Sequence, residues 1–344
     1  MTLLVVRLGA LGDIVHTIPA VAALRTAFPA ARLDWLVDAR HRDIVDLVQG
    51  LDRVVVLERP TIAGWADVVR RLRQVRYDAA LDFKGLMKSA VLARASGARR
   101  VIGFSIWHLR EKGARPFYSQ TDASRTDRPP SDSTHVIHKN LGLLTTLGIA
   151  TDTIAFPLAH THSDALAQVR SSLDGRPFAL VNPGAAWPNK RWPAERFGEI
   201  AAVLRDVRGL STVVVWGPGE EALARAVVEA SRGAASMAPP TGIADLVELS
   251  RAAALMVAGD TGPLHIAVAA GTPAVGLFGP TDPGRNGPWH PGDATVSRYG
   301  ECACHYERKC HEADWCLARI PVAEVTAAVQ RVVRGTSAER SADG

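Results

Sequence analysis

The sequence predicts an α/β protein built from two parallel sheets in tandem. Three observations carry this: short strands apolar on both faces, a helical segment after each, and a restart of the whole pattern near the middle of the 344 residues. Strands buried on both faces need helices on either side, the arrangement of parallel sheets with crossover helices. A chain of this length suits two domains, each large enough to bury its own core.

In the first half the strand candidates are Leu3–Val6, Leu33–Val37, Arg53–Leu57, Ala79–Phe83 and Val101–Phe104, with helices at Ile18–Ala27, Asp43–Val48, Ala66–Arg73 and Ser89–Ser96. The pattern restarts after the Pro- and Ser-containing stretch Arg128–Ser133 and the helix His138–Leu147. Strands follow at Phe178–Val181, Thr212–Trp216, Leu255–Ala258 and Pro273–Phe278, and helices at Glu195–Arg205, Glu221–Ser231, Ile243–Ala252 and Leu264–Ala270. The expected domains, each Rossmann-like, are residues 1–160 and 161–334, facing each other across a cleft at the carboxyl ends of their strands, where such sheets bind ligands. The last helix, Val322–Val333, is a candidate to pack back onto the first domain. Residues 335–344, small and polar, are expected to form a flexible tail.

Hydrophobic residues at 47% and charged residues at 22% exclude a disordered chain. No apolar run approaches the roughly 18 to 20 residues of a membrane span, and Arg7 interrupts Leu3-Leu4-Val5-Val6, so neither a transmembrane helix nor a signal peptide is expected. All four cysteines fall in one short window, unlike the spread of a secreted disulfide scaffold. A cytoplasmic location is the expectation. The net charge is +5, and +4 of it lies between Arg99 and Arg128, where Arg99, Arg100, Arg110, Lys112, Arg115, Arg125 and Arg128 face Glu111, Asp122 and Asp127. An anionic acceptor or an anionic membrane surface explains such a stretch, as does a plain solvated face. Nucleic acid is not expected, because no recognised nucleic-acid module accompanies it.

Directly after the first strand comes Gly9-Ala10-Leu11-Gly12-Asp13, a glycine turn entering a helix but lacking the third glycine of the dinucleotide fingerprint. That omission excludes a nicotinamide-dependent dehydrogenase. Asp13 either caps the helix or, held at a strand's carboxyl end, serves as a general base. In the second half Gly259-Asp260-Thr261-Gly262-Pro263-Leu264-His265 opens a helix after an apolar strand, as a diphosphate cradle or as an ordinary turn capped by Asp260. The loop Asn182–Pro193 carries Lys190 and no acid, so Lys190 is either a cation for a leaving diphosphate or a solvated lysine beside packed tryptophans. The acids of Trp216–Glu221 suit a ribose or a helix start.

Taken together, Gly12-Asp13-Ile14-Val15-His16-Thr17, Gly85-Leu86-Met87-Lys88-Ser89-Ala90, Lys190-Arg191-Trp192-Pro193, Asp260-Thr261-Gly262-Pro263-Leu264-His265 and Gly279-Pro280-Thr281-Asp282-Pro283 resemble, in order and spacing, the bacterial lipopolysaccharide heptosyltransferases of glycosyltransferase family 9. The resemblance runs from residue 1 to about 333. It implies the GT-B fold and inverting transfer of L-glycero-D-manno-heptose from ADP-heptose to the Kdo-lipid A inner core, at the cytoplasmic face of the inner membrane. It further implies Asp13 as base and Lys190 on the diphosphate. Asp260 would hold the donor heptose, Thr261, Gly262 and His265 would surround the phosphates, Glu221 would meet the ribose, and Thr241 would lie near the adenine. Lys88, Arg110, His135 and Lys139 match acceptor-side positions. Ala185 and Ala186 stand where the first-heptose enzyme resembles a Thr-Thr phosphate contact, and their loop looks closer to the second-heptose enzyme. The opening loop and the Gly85–Ala90 motif favour the first. Metal-independent catalysis is expected, since backbone dipoles and a lysine can carry the leaving-group charge.

The remaining motif is Cys302-x-Cys304-x5-Cys310-x5-Cys316. Four thiols so close suit a structural Zn or Fe, reduced cysteines or disulfides. The resemblance includes relatives that modify autotransporter proteins and hold a cysteine-bound iron, so an acceptor that is a protein or a small glycoside stays open. A non-catalytic sugar-nucleotide-binding subunit is the alternative of another class. Retention of Asp13, Lys190 and Asp260 together argues against it.

Overall fold

The computed structural model describes residues 1–122, 134–312 and 314–342, with side chains through residue 334. The chain divides into two compact units, Met1–Ala159 and His160–Gly344. The first contains β1 (Thr2–Val6), β2 (Arg32–Asp38), β3 (Arg53–Leu57), β4 (Ala79–Asp82), β5 (Arg100–Gly103) and β6 (Gln120–Thr121), in the spatial order β3-β2-β1-β4-β5-β6. The second contains β7 (Phe178–Asn182), β8 (Ser211–Val214), β9 (Ala235–Met237), β10 (Leu255–Gly259), β11 (Ala274–Phe278) and β12 (Ala294–Ser297), ordered β12-β11-β10-β7-β8-β9. The strand pairings within both sheets are parallel. Both sheets follow one plan, and the strand order reverses between β1 and β4 and between β7 and β10. At such a reversal the connections leave to opposite faces and open a crevice at the carboxyl ends of the two central strands. The loops after β1, β4, β7 and β10 carry the glycine, lysine and aspartate motifs.

The central strands are the most apolar: Leu3, Leu4, Val5 and Val6 are fully buried, as are Leu255, Met256, Val257 and Ala258. Strands sealed on both faces leave only their ends for polar groups, which sends the charged residues to the loops. The last helix places Val325, Ala328, Val329 and Val332, spaced three and four apart, in the second unit's core. It packs there on the helix Ala194–Arg208 and on β11 and β12. This helix spans Val322–Ala342.

Three strands lie outside the sequence expectation, β6, β9 and β12, as does the helix Asp164–Ser172. The boundary stretch Arg128–Ser133, with Arg125 and Asp127, lies outside the described residues. No described helix is long and apolar enough to cross a membrane.

Candidate active site

In the first unit the site begins where β1 ends. Arg7 continues inward from the strand, 4% exposed, with its guanidinium donating to the Phe83 carbonyl. The chain then turns at Gly9, where a Cβ would lie 2.6 Å from the His41 ring, so only glycine lets His41 close the turn. Asp13 sits in the first turn of the helix Leu11–Val15, and its Oδ2 accepts the Ala10 backbone N–H at 3.3 Å. The same oxygen meets Arg7 Nη2 at 2.8 Å and Lys84 Nζ at 2.8 Å. Lys84 comes from the turn after β4 and also donates to the Gly9 carbonyl. Burial pushes the Asp13 carboxyl up, but Arg7 and Lys84 outweigh it and hold the group well below the usual carboxylate range. Burial also lowers Lys84, against the pull of Asp13.

Asp82, the last residue of β4, braces this turn. Its carboxylate accepts from Ser89 Oγ at 2.8 Å, Tyr118 Oη at 2.7 Å and the Lys84 N–H at 2.8 Å. Of the acceptor-side candidates, Lys88 is exposed and lines a cavity of about 460 Å³ with Pro60, Thr61, Ile62 and Trp65. Arg110 is exposed and close enough to Lys84 to depress its protonation. His135 caps the helix Val136–Leu143 through Nδ1 and packs edge-on against His16, with ring centroids 5.5 Å apart. Lys139 lies one turn further along that helix, and its neighbour Asn140 donates to the His16 carbonyl at 2.8 Å. Arg7 and Lys84 were missed from sequence. Arg7 read as an interruption of an apolar run, and Lys84 immediately precedes the Gly85 motif without belonging to it.

The second unit repeats the arrangement at the ends of β7 and β10. Asp260, 8% exposed, receives Lys190 Nζ at 2.5 Å and Thr281 Oγ1 at 2.7 Å on Oδ2, and its Oδ1 lies 3.0 Å from His265 Nε2. Burial pushes this carboxyl up as well, and the His265 hydrogen bond with the Lys190 charge holds it well below its ordinary range. Lys190 also lies over the Trp187 ring, 4.5 Å from its centroid. Thr261 precedes the helix Gly262–Ala269, whose first turn contains Pro263. Ala185 is buried, and its carbonyl accepts from Arg191, while Ala186 is exposed. Thr241 is half-buried just before the helix Ile243–Ala252.

Two placements bear on the sequence reading. Glu221 pairs with Arg225 at 2.5 Å on the exposed face of its helix, and the acid turned toward the β7 loop is Glu220. A Cβ on Gly184 would lie 2.0 Å from Glu220 Oε2, so the two loops meet through that glycine. The cysteines form one cluster, with Sγ separations of 3.4 Å for Cys302–Cys316 and 3.5 Å for Cys304–Cys310. Burial and the neighbouring Cys302 push Cys316 up to about 12. The sulfurs stand as two pairs, and among the described residues no group of three or more His, Cys, Asp or Glu side chains forms a ready cation site.

The glycosyltransferase family 9 (heptosyltransferase) model matches residues 65–316. Lipopolysaccharide heptosyltransferase 1 of Pseudomonas aeruginosa is 28% identical over 323 residues, covering 90% of this chain and 87% of that protein. The Escherichia coli K12 protein of the same name is 26% identical over 301 residues, with 83% and 89% covered. Among solved structures, a family 9 glycosyltransferase from Veillonella parvula superposes with a TM-score of 0.78 at 23% identity, covering 97% of each chain. E. coli heptosyltransferase WaaC with ADP gives 0.75 at 22% identity, covering 96% of this chain and all of that one. Those structures share the two-sheet α/β fold, and the family match spans most of the sequence: the chain belongs to glycosyltransferase family 9, the heptosyltransferases.

Proposed function

We propose that this glycosyltransferase builds the lipopolysaccharide core, transferring L-glycero-D-manno-heptose with inversion from ADP-heptose to the Kdo-lipid A acceptor. The observation that carries the reading is the repeated constellation: at each point where the strand order reverses, an aspartate and a lysine from the two central loops meet. Asp13 in the first unit takes the proton of the acceptor hydroxyl as that oxygen attacks the anomeric carbon from the face opposite the nucleotide. In the second unit Lys190 neutralises the diphosphate oxygen as the carbon–oxygen bond breaks, aided by Thr261, Gly262 and His265. Asp260 holds the heptose, Thr241 meets the nucleoside, and the ribose is taken by Glu221 or by Glu220 beside it, the acid turned toward the β7 loop. Lys88, Arg110, His135 and Lys139 receive the anionic acceptor, and the basic stretch suits a position on the cytoplasmic face of the inner membrane.

The deciding experiment is transfer from ADP-heptose to three acceptors: Kdo2-lipid A, the same core already bearing one heptose, and an autotransporter peptide. Product on the first alone is expected. Product on the second is the outcome that Ala185 and Ala186 favour, and product on the third would move the acceptor outside lipopolysaccharide. Binding of ADP-heptose without transfer to any of the three would make the chain a binding subunit. Asp13→Ala is expected to lower turnover by several orders of magnitude while ADP-heptose affinity stays within a few-fold. Retained activity would leave Asp13 a helix cap.

Lysine and backbone dipoles supply the charge stabilisation, so turnover is expected to survive chelation. Loss of turnover in folded, chelated protein would overturn that point. For the four cysteines we propose a structural Zn or Fe that would draw the two sulfur pairs into one shell. A tetrahedral thiolate shell with bonds of about 2.3 Å has edges near 3.8 Å, and the two paired separations of 3.4 and 3.5 Å are near that value. Untagged protein holding less than about a tenth of an equivalent would remove the metal.

A further inference from the structure

A carboxylate that acts as a base needs one oxygen free to approach the substrate, and the partners of Asp13 divide unevenly between its two oxygens. Arg7 Nη2 at 2.8 Å, Lys84 Nζ at 2.8 Å and the Ala10 N–H at 3.3 Å all converge on Oδ2. The Asp13 side chain is nonetheless 32% exposed. In the second unit Asp260 has both oxygens engaged, Oδ2 by Lys190 and Thr281 and Oδ1 by His265, and its side chain is only 6% exposed. One aspartate is enclosed and the other is tethered by a single oxygen.

We infer that Arg7 and Lys84 are positioning residues that anchor Asp13 through Oδ2 and so present Oδ1 as the proton acceptor. The inference rests on Asp13 being the base. Both cations are fixed from behind. Arg7 is held by the Phe83 carbonyl and is almost wholly buried, and Lys84 is held by the Gly9 carbonyl. Two ion pairs and a backbone N–H on Oδ2 restrain χ1 and χ2 of the carboxylate and leave Oδ1 outward. The price is basicity, since two cations hold the carboxyl low. That cost is tolerable where bond breaking to the leaving group runs ahead of proton transfer, because the hydroxyl is then acidified by the bond it is forming. The proton moves from the acceptor oxygen to Oδ1 as the new carbon–oxygen bond forms and the diphosphate departs with the electron pair.

The test measures kcat, the KM for ADP-heptose and the pH dependence of kcat in Lys84→Met, Lys84→Arg, Asp13→Ala, Asp13→Asn and the Asp13→Asn/Lys84→Met pair. Groups other than Lys84 that bear on the Asp13 charge are Arg7, His16 and His41, and all three are unchanged in these variants. Lys84→Met is expected to lower kcat about 10²-fold, the scale of a small misplacement of a reacting group, with KM for ADP-heptose within about threefold. Its acid limb should move upward by about one unit or more, since one of two neighbouring cations is gone. Lys84→Arg should recover at least tenfold, and in the Asp13→Asn background Lys84→Met should cost nothing further. Arg7→Lys, which retains the charge but shortens the reach, carries the same expectation in smaller measure and stands in if Lys84→Met does not fold. Full kcat with an unmoved acid limb in Lys84→Met, beside an inactive Asp13→Ala, would overturn the positioning role and leave the base intact. Activity in Asp13→Ala would remove the base itself.

Discussion

Asp13 follows β1 and Asp260 follows β10, opposite members of the two central strand pairs, and each meets a lysine from the neighbouring loop, yet burial separates them. Asp260 is sealed among Lys190, His265 and Thr281, so removing Lys190 leaves a buried carboxylate without its lysine counter-charge. Lys190→Met is therefore expected to act twice, weakening ADP binding by roughly tenfold or more and lowering the melting temperature, both readable by calorimetry. Both aspartates have folded pKa values depressed below 3.8. They contribute stability that is present above that value and lost as pH falls through the folded values. Asp293 behaves oppositely. Burial raises it to about 6, its Oδ1 accepts the Ala274 N–H at 2.8 Å, and its Oδ2 is buried without a partner. The folded state binds the proton more tightly than the unfolded chain, so stability is lost as pH rises from about 4 to 6. Asp293→Asn keeps the hydrogen bond and removes the charge; its melting temperature is expected to exceed that of the parent at pH 7 and to match it near pH 4.

At the scale of elements, the loops are set by glycines whose neighbours leave no room. A Cβ on Gly259 would lie 2.6 Å from the Lys190 carbonyl, a backbone atom that cannot step aside. Gly259→Ala should push the β7 loop away from β10 and weaken ADP binding by at least tenfold, whereas Gly142→Ala, in a helix with nothing within 4 Å, should change binding little and stability by a few tenths of a kcal/mol. Equal binding in the two variants would mean the loops adjust independently. The central strands were legible from sequence because they are apolar on every face, as in Leu255–Ala258. The strands β6, β9 and β12 were not: they sit at sheet edges, are two to four residues long, and include exposed residues such as Gln120 and Ser236. The same limit applies to the site. Asp13, Lys190 and Asp260 stand inside glycine-marked motifs, while Arg7 and Lys84 reach Asp13 only because β1 and β4 are neighbours. Glu220 and Glu221 are adjacent and chemically equal in sequence, and only the turn before the helix decides which one faces Gly184.

Over the whole molecule the charge is distributed unevenly, and this bears on how an anionic acceptor arrives. Of the described residues in the basic stretch, Arg99, Arg110, Lys112 and Arg115 are exposed, and Arg100 is committed to Gln120 and the Thr146 carbonyl. Arg99 has only a 3.8 Å approach to Asp78, too loose to neutralise it. Three further cations, Lys88, Lys84 and Arg7, belong to the same unit, and the last two are neutralised in part by Asp13. A field from exposed charges is screened over a Debye length, about 10 Å at 0.1 M salt and 3 Å at 1 M. A contact held by a buried ion pair is screened much less. Under the proposed function, raising salt from 50 to 500 mM should therefore raise the KM for the Kdo-bearing acceptor by about tenfold and the KM for ADP-heptose by no more than two- to threefold, because Lys190, the cation proposed to meet the donor, is largely buried. The triple variant Arg110→Gln/Lys112→Gln/Arg115→Gln should show the high-salt acceptor KM already at 50 mM and lose most of the salt dependence, with kcat nearly unchanged. Salt dependence that persisted in that variant would place acceptor capture on other cations, and Lys88 and Lys139 would be the next to replace.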